Sequence, residues 1–231
     1  MILPLPDTLS GIARVRFSIL RVDYAAPEAS GRQGGVQAGF PVWGARMELD
    51  RIDADSADLW QAFVDRMRGR IRRFYCHDTA RDLPLAHRFG MTDLTRAGGG
   101  AFDGSASSWS QAIDSDDNAN VTLGGLPAGF SIAVGDYIGF KWDASGAASD
   151  TFERRTMMRA VLPATANASG QAVVTAEPPL DTALVPSGAV AHFDKPSCVM
   201  QLVPEESQLS PVGEGGTIAG GAVIGVQDLR P

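Results

Sequence analysis

The chain has 231 residues, 44% of them hydrophobic and 20% charged, which is the composition of a folded protein and excludes an intrinsically disordered one. Twenty basic and 27 acidic side chains give a net charge of −7, which argues against the concentrated basic face that nucleic-acid binding requires. No apolar run reaches the roughly 20 residues of a membrane span, and the N-terminus lacks the pattern of a signal peptide. We therefore expect a protein without a membrane segment that is made and kept in a cytoplasm-like compartment.

Glycine, proline and cysteine give a first indication of the architecture. The 26 glycines and 14 prolines are spread along the chain, which favours many short elements separated by turns and hence a mainly β fold. The two cysteines, Cys76 and Cys198, lie far apart in the sequence. We expect two reduced, partly buried thiols, with a disulfide between distant segments as the alternative.

Two strands are predicted near the N-terminus. Residues 14–23 alternate in polarity, with Val15 and Phe17 on one face, which is the pattern of a half-buried strand. A second alternating run covers residues 43–49. Residues 24–35 between them are polar and rich in glycine, which predicts an exposed excursion that joins an antiparallel pair.

One helix is predicted over residues 56–68. Asp55 or Ser56 can cap it, because a short side-chain oxygen accepts from the free N–H groups of the first turn. Gly69 ends it, since glycine adopts the left-handed cap conformation without steric cost. A strand rich in β-branched and aromatic residues is then predicted over residues 70–76. The apolar stripe of the helix consists of Leu59, Trp60, Phe63, Val64 and Met67.

The second half of the chain is predicted to be rich in β-strands. Residues 88–120 form a polar, turn-rich stretch, and short strands separated by glycine or proline follow, as in a small antiparallel barrel or sandwich. Two further strands are predicted near the C-terminus, at residues 198–203 and 217–226. The strands of the middle segment are predicted at residues 120–123, 130–134, 136–142, 156–162 and 171–175.

Seven short motifs then stand in a fixed order along the chain. They are Gln37 with Trp43, Trp60-Gln61-Ala62-Phe63, Gly69-Arg70 followed by Phe74, Leu126-Pro127, Gly135-Asp136-Tyr137-Ile138, Gly170-Gln171-Ala172, and Glu177-Pro178-Pro179-Leu180. In this series the chain resembles the distal tail proteins, and other minor tail-tip proteins, of long-tailed (siphovirus-type) bacteriophages and prophages. The likeness covers most of the chain, and none of the motifs is a catalytic signature.

The resemblance implies a tail-tube-like β-sandwich domain with one helix, formed by residues 1–88 and 196–231. A small β-barrel or β-sandwich domain, residues 89–195, would be inserted into it. The resemblance also implies a structural ring in the virion tail, a hexamer assembled in the cytoplasm of the bacterial host. Its partners would be further copies of the chain, the tail tube protein, the tape measure protein and the baseplate hub. The chain departs from the family in its Gly-, Ser- and Asp-rich segment, residues 98–120, which leaves the boundaries of the inserted domain open.

Few side chains are suited to catalysis or to metal binding, so we expect no enzymatic activity, no cofactor and no metal ion. Of the three histidines, His77 stands beside Cys76, but neighbouring side chains of a strand point to opposite faces and do not converge on one ion. Asp114, Asp116 and Asn118 match the start of a calcium-binding loop. The later positions of that loop lack the required glycine and glutamate.

Two sets of side chains are candidates for recognition. An arginine-rich run could meet carboxylates on a neighbouring copy, since the planar guanidinium group binds them in bidentate fashion; a solvated face is the alternative. Trp109 and Tyr137 could contact a glycan under a second hypothesis, in which the chain is a carbohydrate-binding or host-adhesion module of a phage or prophage particle. The predicted oligomer interface consists of Arg66, Arg68, Arg70, Arg72 and Arg73 on one copy and Asp53, Asp55 and Asp58 on the next.

Overall fold

The computed structural model describes residues 2–3, 5, 12–27, 33–50, 52–143, 153–210, 217–218 and 220–229. Over these residues the chain forms nineteen β-strands, one α-helix and a single turn of 3₁₀-helix. The expectation of a mainly β fold with one helix is therefore confirmed.

The elements are numbered in chain order. The first part of the chain contains β1 (Ile2–Leu3), β2 (Ile12–Leu20), β3 (Asp23–Pro27), β4 (Gln33–Gln37), β5 (Val42–Leu49), β6 (Ile52–Asp53), α1 (Ala54–Met67), β7 (Arg73–His77) and the 3₁₀ turn Leu85–His87. The second part contains β8 (Ser108–Ile113), β9 (Ala119–Gly124), β10 (Ser131–Ile132), β11 (Tyr137–Asp143), β12 (Glu153–Ala160), β13 (Ala164–Thr165), β14 (Ala172–Glu177), β15 (Val190–His192), β16 (Ser197–Leu202), β17 (Gln208–Leu209), β18 (Thr217–Ile218) and β19 (Gly221–Gln227).

A seven-stranded sheet brings both ends of the chain together. Its strands lie in the order β1-β7-β16-β19-β5-β2, and β17 pairs with the start of β19. Only the pair β1–β7 is parallel among these strands. Alternation places Phe17 and Trp43 on one face of this sheet, where α1 also packs. Phe63 of α1 contacts both Trp60 and Phe74 edge-on, with 5.5 Å between the ring centroids of Phe63 and Phe74.

A second, six-stranded sheet is entirely antiparallel and has the order β15-β11-β12-β14-β9-β8. The chain just before β8 also reaches β15, where the Ala106 amide donates to the Ala191 carbonyl at 2.8 Å. The sheet therefore curls until its two ends meet. Phe130, Ile138 and Phe140 lie in the core that it encloses.

The two sheets meet at a buried boundary, which we call the junction. Successive side chains of β11 and β12 point to opposite faces, so Ile138 and Met158 enter the second core, whereas Tyr137 and Met157 enter the first. The Met157 carbonyl also accepts a hydrogen bond from Trp43 Nε1 at 2.7 Å. The first core is thus completed by side chains of the second sheet, and the domain boundaries implied by the resemblance stay a prediction.

The cysteines lie on neighbouring strands of the first sheet. Cys76 on β7 and Cys198 on β16 are directly opposite each other in the register. Both are free thiols, and both are fully buried, whereas the sequence predicts partly buried ones. Burial raises the pKa of the Cys76 thiol to about 12, so the thiol stays protonated at neutral pH.

Three details of the predicted helix and of the strand after it are wrong. The helix begins at Ala54, and its cap is Asp53, whose carboxylate accepts from the Ser56 amide at 2.8 Å; neither Asp55 nor Ser56 is the cap. Leu59 is 47% exposed and lies outside the buried stripe. The following strand begins only at Arg73, because Arg68 and Gly69 adopt positive φ angles of 51° and 66° and turn the chain.

Two segments for which no strand is predicted contain strands. Residues 24–35 hold most of the hairpin β3–β4, and residues 88–120 hold β8. The side chains of β8 are all exposed or half-buried, and half of them are polar, so the strand carries little of the alternation that identifies a buried face.

Candidate interaction surfaces

The two ends of α1 carry opposite charges. Asp53, Asp55 and Asp58 lie in or beside the first turns, and Arg66 and Arg68 lie at the last turn and the cap. Hydrogen bonds from Ser56 lower the pKa of Asp53, so its carboxylate is charged at neutral pH. A helix of 14 residues is roughly 21 Å long, so the acidic and basic ends cannot pair within one chain.

Three of the five arginines of the predicted interface bond within their own chain. Arg72 Nη1 donates to the Arg66 carbonyl at the end of the helix, at 3.0 Å. Arg70 Nη2 lies 2.9 Å from Glu205 Oε2 in an exposed ion pair, and Arg73 Nε lies 2.7 Å from Asp228 Oδ2, whose side chain is 2% exposed. Arg73 therefore has a structural role, and Arg66, Arg68 and Arg70 are the more accessible members of the set.

The hairpin β3–β4, which we call the ribbon, exposes an apolar surface that the sequence interpretation missed. Tyr24 and Val36 are directly opposite each other in the register and are 66% and 69% exposed. Directly opposite residues in a hairpin share a face, so these two side chains form one apolar surface in solvent. The exposed apolar side chains on and next to the ribbon are Leu20, Val22, Tyr24, Val36 and Phe40.

The base of the ribbon is fixed in position by Arg21. Its guanidinium donates to Gln37 Oε1 at 2.9 Å on one side and to Glu177 Oε2 at 2.7 Å on the other. Glu177 ends β14, so the ribbon is tied to the second sheet. The apolar surface is therefore held away from both cores. Alternation of Leu20, Val22 and Tyr24 is the signal from which the sequence could have predicted it.

The two aromatic residues proposed for glycan binding do not form an open platform. Tyr137 is only 5% exposed, and its ring packs edge-on against Phe17 and Trp43, so its face is not accessible to a sugar. Trp109 is half-buried, and its Nε1–H donates to the Ala189 carbonyl at 2.6 Å. The joint site predicted for Tyr137 and Trp109 is wrong, because Tyr137 belongs to the first core.

The aspartate-rich loop is organised by its own hydrogen bonds. Asp114 accepts from the amides of Asp116 and Asn118, and from the side chains of Asn118 and Asn120. These bonds, the Asn118 amide foremost, lower the pKa of Asp114. Within the part of the chain that the structure describes, no group of three or more His, Cys, Asp or Glu side chains could hold a metal ion. Among the same residues, no helix has the length and apolarity needed to cross a membrane.

A comparison with models of protein families finds no match to the chain, and a search of curated proteins finds no similar sequence.

Proposed function

We propose that the chain is a structural subunit of a bacteriophage tail tip, where copies of it form a ring that joins the tail tube to the baseplate. The observation that carries the self-assembly is the apolar surface of the ribbon. Tyr24 and Val36 lie side by side in solvent, although burying a side chain of this size is worth roughly 1.5–3 kcal/mol. A contiguous apolar surface of this kind favours a site that a partner covers.

The charge distribution of α1 supports a head-to-tail arrangement of the copies. The acidic end of the helix, at Asp53, Asp55 and Asp58, and its basic end, at Arg66 and Arg68, are complementary but cannot meet within one chain. In a ring each interface joins two different surfaces of neighbouring subunits, so one copy can present its basic end to the acidic end of the next. Such exposed pairs add orientation more than affinity.

The setting and the number of subunits rest on the resemblance to tail-tip proteins. It implies a hexamer in the virion, with the tail tube protein, the tape measure protein and the baseplate hub as partners. The ribbon and the charged helix ends are features of this chain that suit contacts between copies.

The test is to measure the mass of the purified protein in solution over a range of concentrations, together with electron microscopy of the particles. We expect rings of six subunits, and we expect Tyr24→Ser with Val36→Ser to abolish them because the apolar contact is lost. Val173→Ser is the matched control, since Val173 is a similarly exposed valine on β14, outside the ribbon. A chain that stays monomeric at every concentration and in assembled particles would refute the proposal.

A further inference from the structure

A wide groove separates the edge of the first sheet from the second sheet. Its volume is about 800 Å³. One wall is the middle of β2, from Val15 to Ile19, and the opposite wall contains Asp78, Arg81, Tyr137 and Arg159. The groove is thus bounded along its length by a β-strand.

The outer edge of β2 has no strand partner within the described residues, because β2 ends the sheet and pairs only with β5. Arg159 Nη1 donates across the groove to the Phe17 carbonyl at 3.4 Å, which shows that the backbone of Phe17 points into the groove. The N–H and C=O groups of one residue in an antiparallel strand point to the same side, and successive residues alternate. Val15, Phe17 and Ile19 therefore present their backbone groups to the groove, while Arg16 and Ser18 bond to β5.

The groove is positively charged although the whole chain is acidic. Three arginines, Arg16, Arg81 and Arg159, line it, and Asp78 is the one carboxylate among its described lining residues. Asp78 already accepts from the Ala80 amide and from the Tyr137 hydroxyl. These arginines can therefore donate hydrogen bonds to the carboxylates of a ligand.

The guanidinium groups are placed for a ligand that lies in the groove. Arg159 is held over the ring of Trp43, 5.3 Å from its centroid, and no described carboxylate forms an ion pair with it. Arg81 donates to the Val134 carbonyl and lies 3.8 Å from Asp136, whose oxygens accept from the Leu85 and Ala133 amides. Contacts of other kinds therefore hold both guanidinium groups in place, and neither group forms a close ion pair with a described carboxylate.

We propose that this groove binds an extended acidic segment of a partner protein, which adds to β2 as a further strand of the first sheet. The backbone of the segment would pair with Val15, Phe17 and Ile19, and acidic side chains at every second position would reach Arg81 and Arg159. Strand addition of this kind derives affinity from the main chain and specificity from alternate side chains. The five groove-lining residues of β2 span roughly 16 Å, enough for a segment of about five residues. The proposal goes beyond ring formation and does not depend on it.

The probe for this site is a short peptide that alternates threonine and glutamate, with a lysine version of the same length as its control. Residue-resolved amide hydrogen exchange is measured with and without each peptide. We expect the glutamate peptide to protect the amides of Val15, Phe17 and Ile19, and to leave those of Arg16 and Ser18 unchanged because they already pair with β5. Equal protection by the lysine peptide, or protection elsewhere without these three amides, would overturn the proposal.

Two variants distinguish binding in the groove from binding elsewhere on β2. Arg81→Gln should weaken binding of the glutamate peptide by roughly two- to fivefold, the effect of one partly exposed ion pair. Arg14→Gln is the matched control, since Arg14 is exposed on the same strand but does not line the groove. Binding that is lost equally in both variants, or that acetate alone displaces at the same concentration, would indicate general charge attraction and contradict strand addition. A monomer that binds the peptide would uphold this site even if no ring forms.

Discussion

The junction buries its side chains, whereas the ribbon exposes apolar ones to solvent. At the junction, buried polar groups bond to one another within the molecule. The Trp43 amide donates to Gln227 Oε1 at 3.0 Å, and Gln227 Nε2 donates to Thr156 Oγ1 at 2.7 Å. On the ribbon, Tyr24 and Val36 leave apolar surface in water. The chain thus covers the apolar surface of the junction with its own residues and leaves that of the ribbon exposed.

The largest expected effect is at the junction. Trp43→Ala removes a fully buried ring that packs against Phe17 and Tyr137, together with its hydrogen bond to Met157. We expect the free energy of unfolding to fall by about 3–5 kcal/mol, measured by denaturant titration. Trp43→Phe, which keeps much of the ring, should lose less than half of that. A loss below about 1 kcal/mol for Trp43→Ala would mean that the junction does not stabilise the fold.

Acid should also destabilise the fold, through a buried histidine of the second sheet. His192 lies in β15, shortly before the chain crosses into β16, and its buried Nε2 has no hydrogen-bond partner among the described residues. Burial, followed by the charges of Lys141 and Arg155, lowers the pKa of His192 to about 4, and the Asp194 carbonyl and Glu153 oppose this shift.

The sign of the effect follows from proton binding. Between about pH 6.5 and pH 4 the unfolded chain binds a proton that the folded chain does not, so this stability is present above pH 6.5 and is lost as the pH falls toward 4. We expect a loss of about 2–3 kcal/mol over this range in denaturant titrations. His192→Gln should reduce the pH dependence of the unfolding free energy more than His87→Gln does, since His192 is buried and His87 is only half-buried. Identical slopes in wild type and His192→Gln would disprove the assignment.

A smaller effect is expected for the polar contacts of the junction. Gln227→Leu leaves the Trp43 amide and the Thr156 hydroxyl without their partner, which should cost about 1–3 kcal/mol of unfolding free energy. Adding Thr156→Val removes one of the unpaired groups and should recover part of the loss. Strictly additive losses in this double-mutant cycle would show that the two side chains act separately.

The smallest effect on stability is expected on the ribbon. Val36→Ser should change the unfolding free energy of the monomer by less than about 0.5 kcal/mol, because the side chain is already in water. Thermal unfolding of dilute protein measures this. A loss as large as that of a core valine would place Val36 against the body of its own chain and remove the basis for self-assembly.

The sequence predicts best where a pattern is local. The alternation in β2 and β5 and the helical spacing of Trp60, Phe63 and Met67 each place the right side chains in the core. The aspartate that caps the helix was misplaced by two or three residues, since several neighbouring side chains share the chemistry of a cap. β8 and the ribbon were missed because few or none of their side chains face a core, although the apolar residues Leu20, Val22 and Tyr24 alternate along the chain.

By itself, the sequence determined that this is a mainly β chain with one helix, since the periods of strand and helix depend only on neighbouring residues. The tertiary structure decided which contacts are internal. It paired Arg73 with Asp228 and Arg70 with Glu205, it placed Tyr137 in the first core, and among the described residues it left the outer edge of β2 without a strand partner. These outcomes depend on strands that are far apart in the chain and meet only after folding, so no local pattern specifies them.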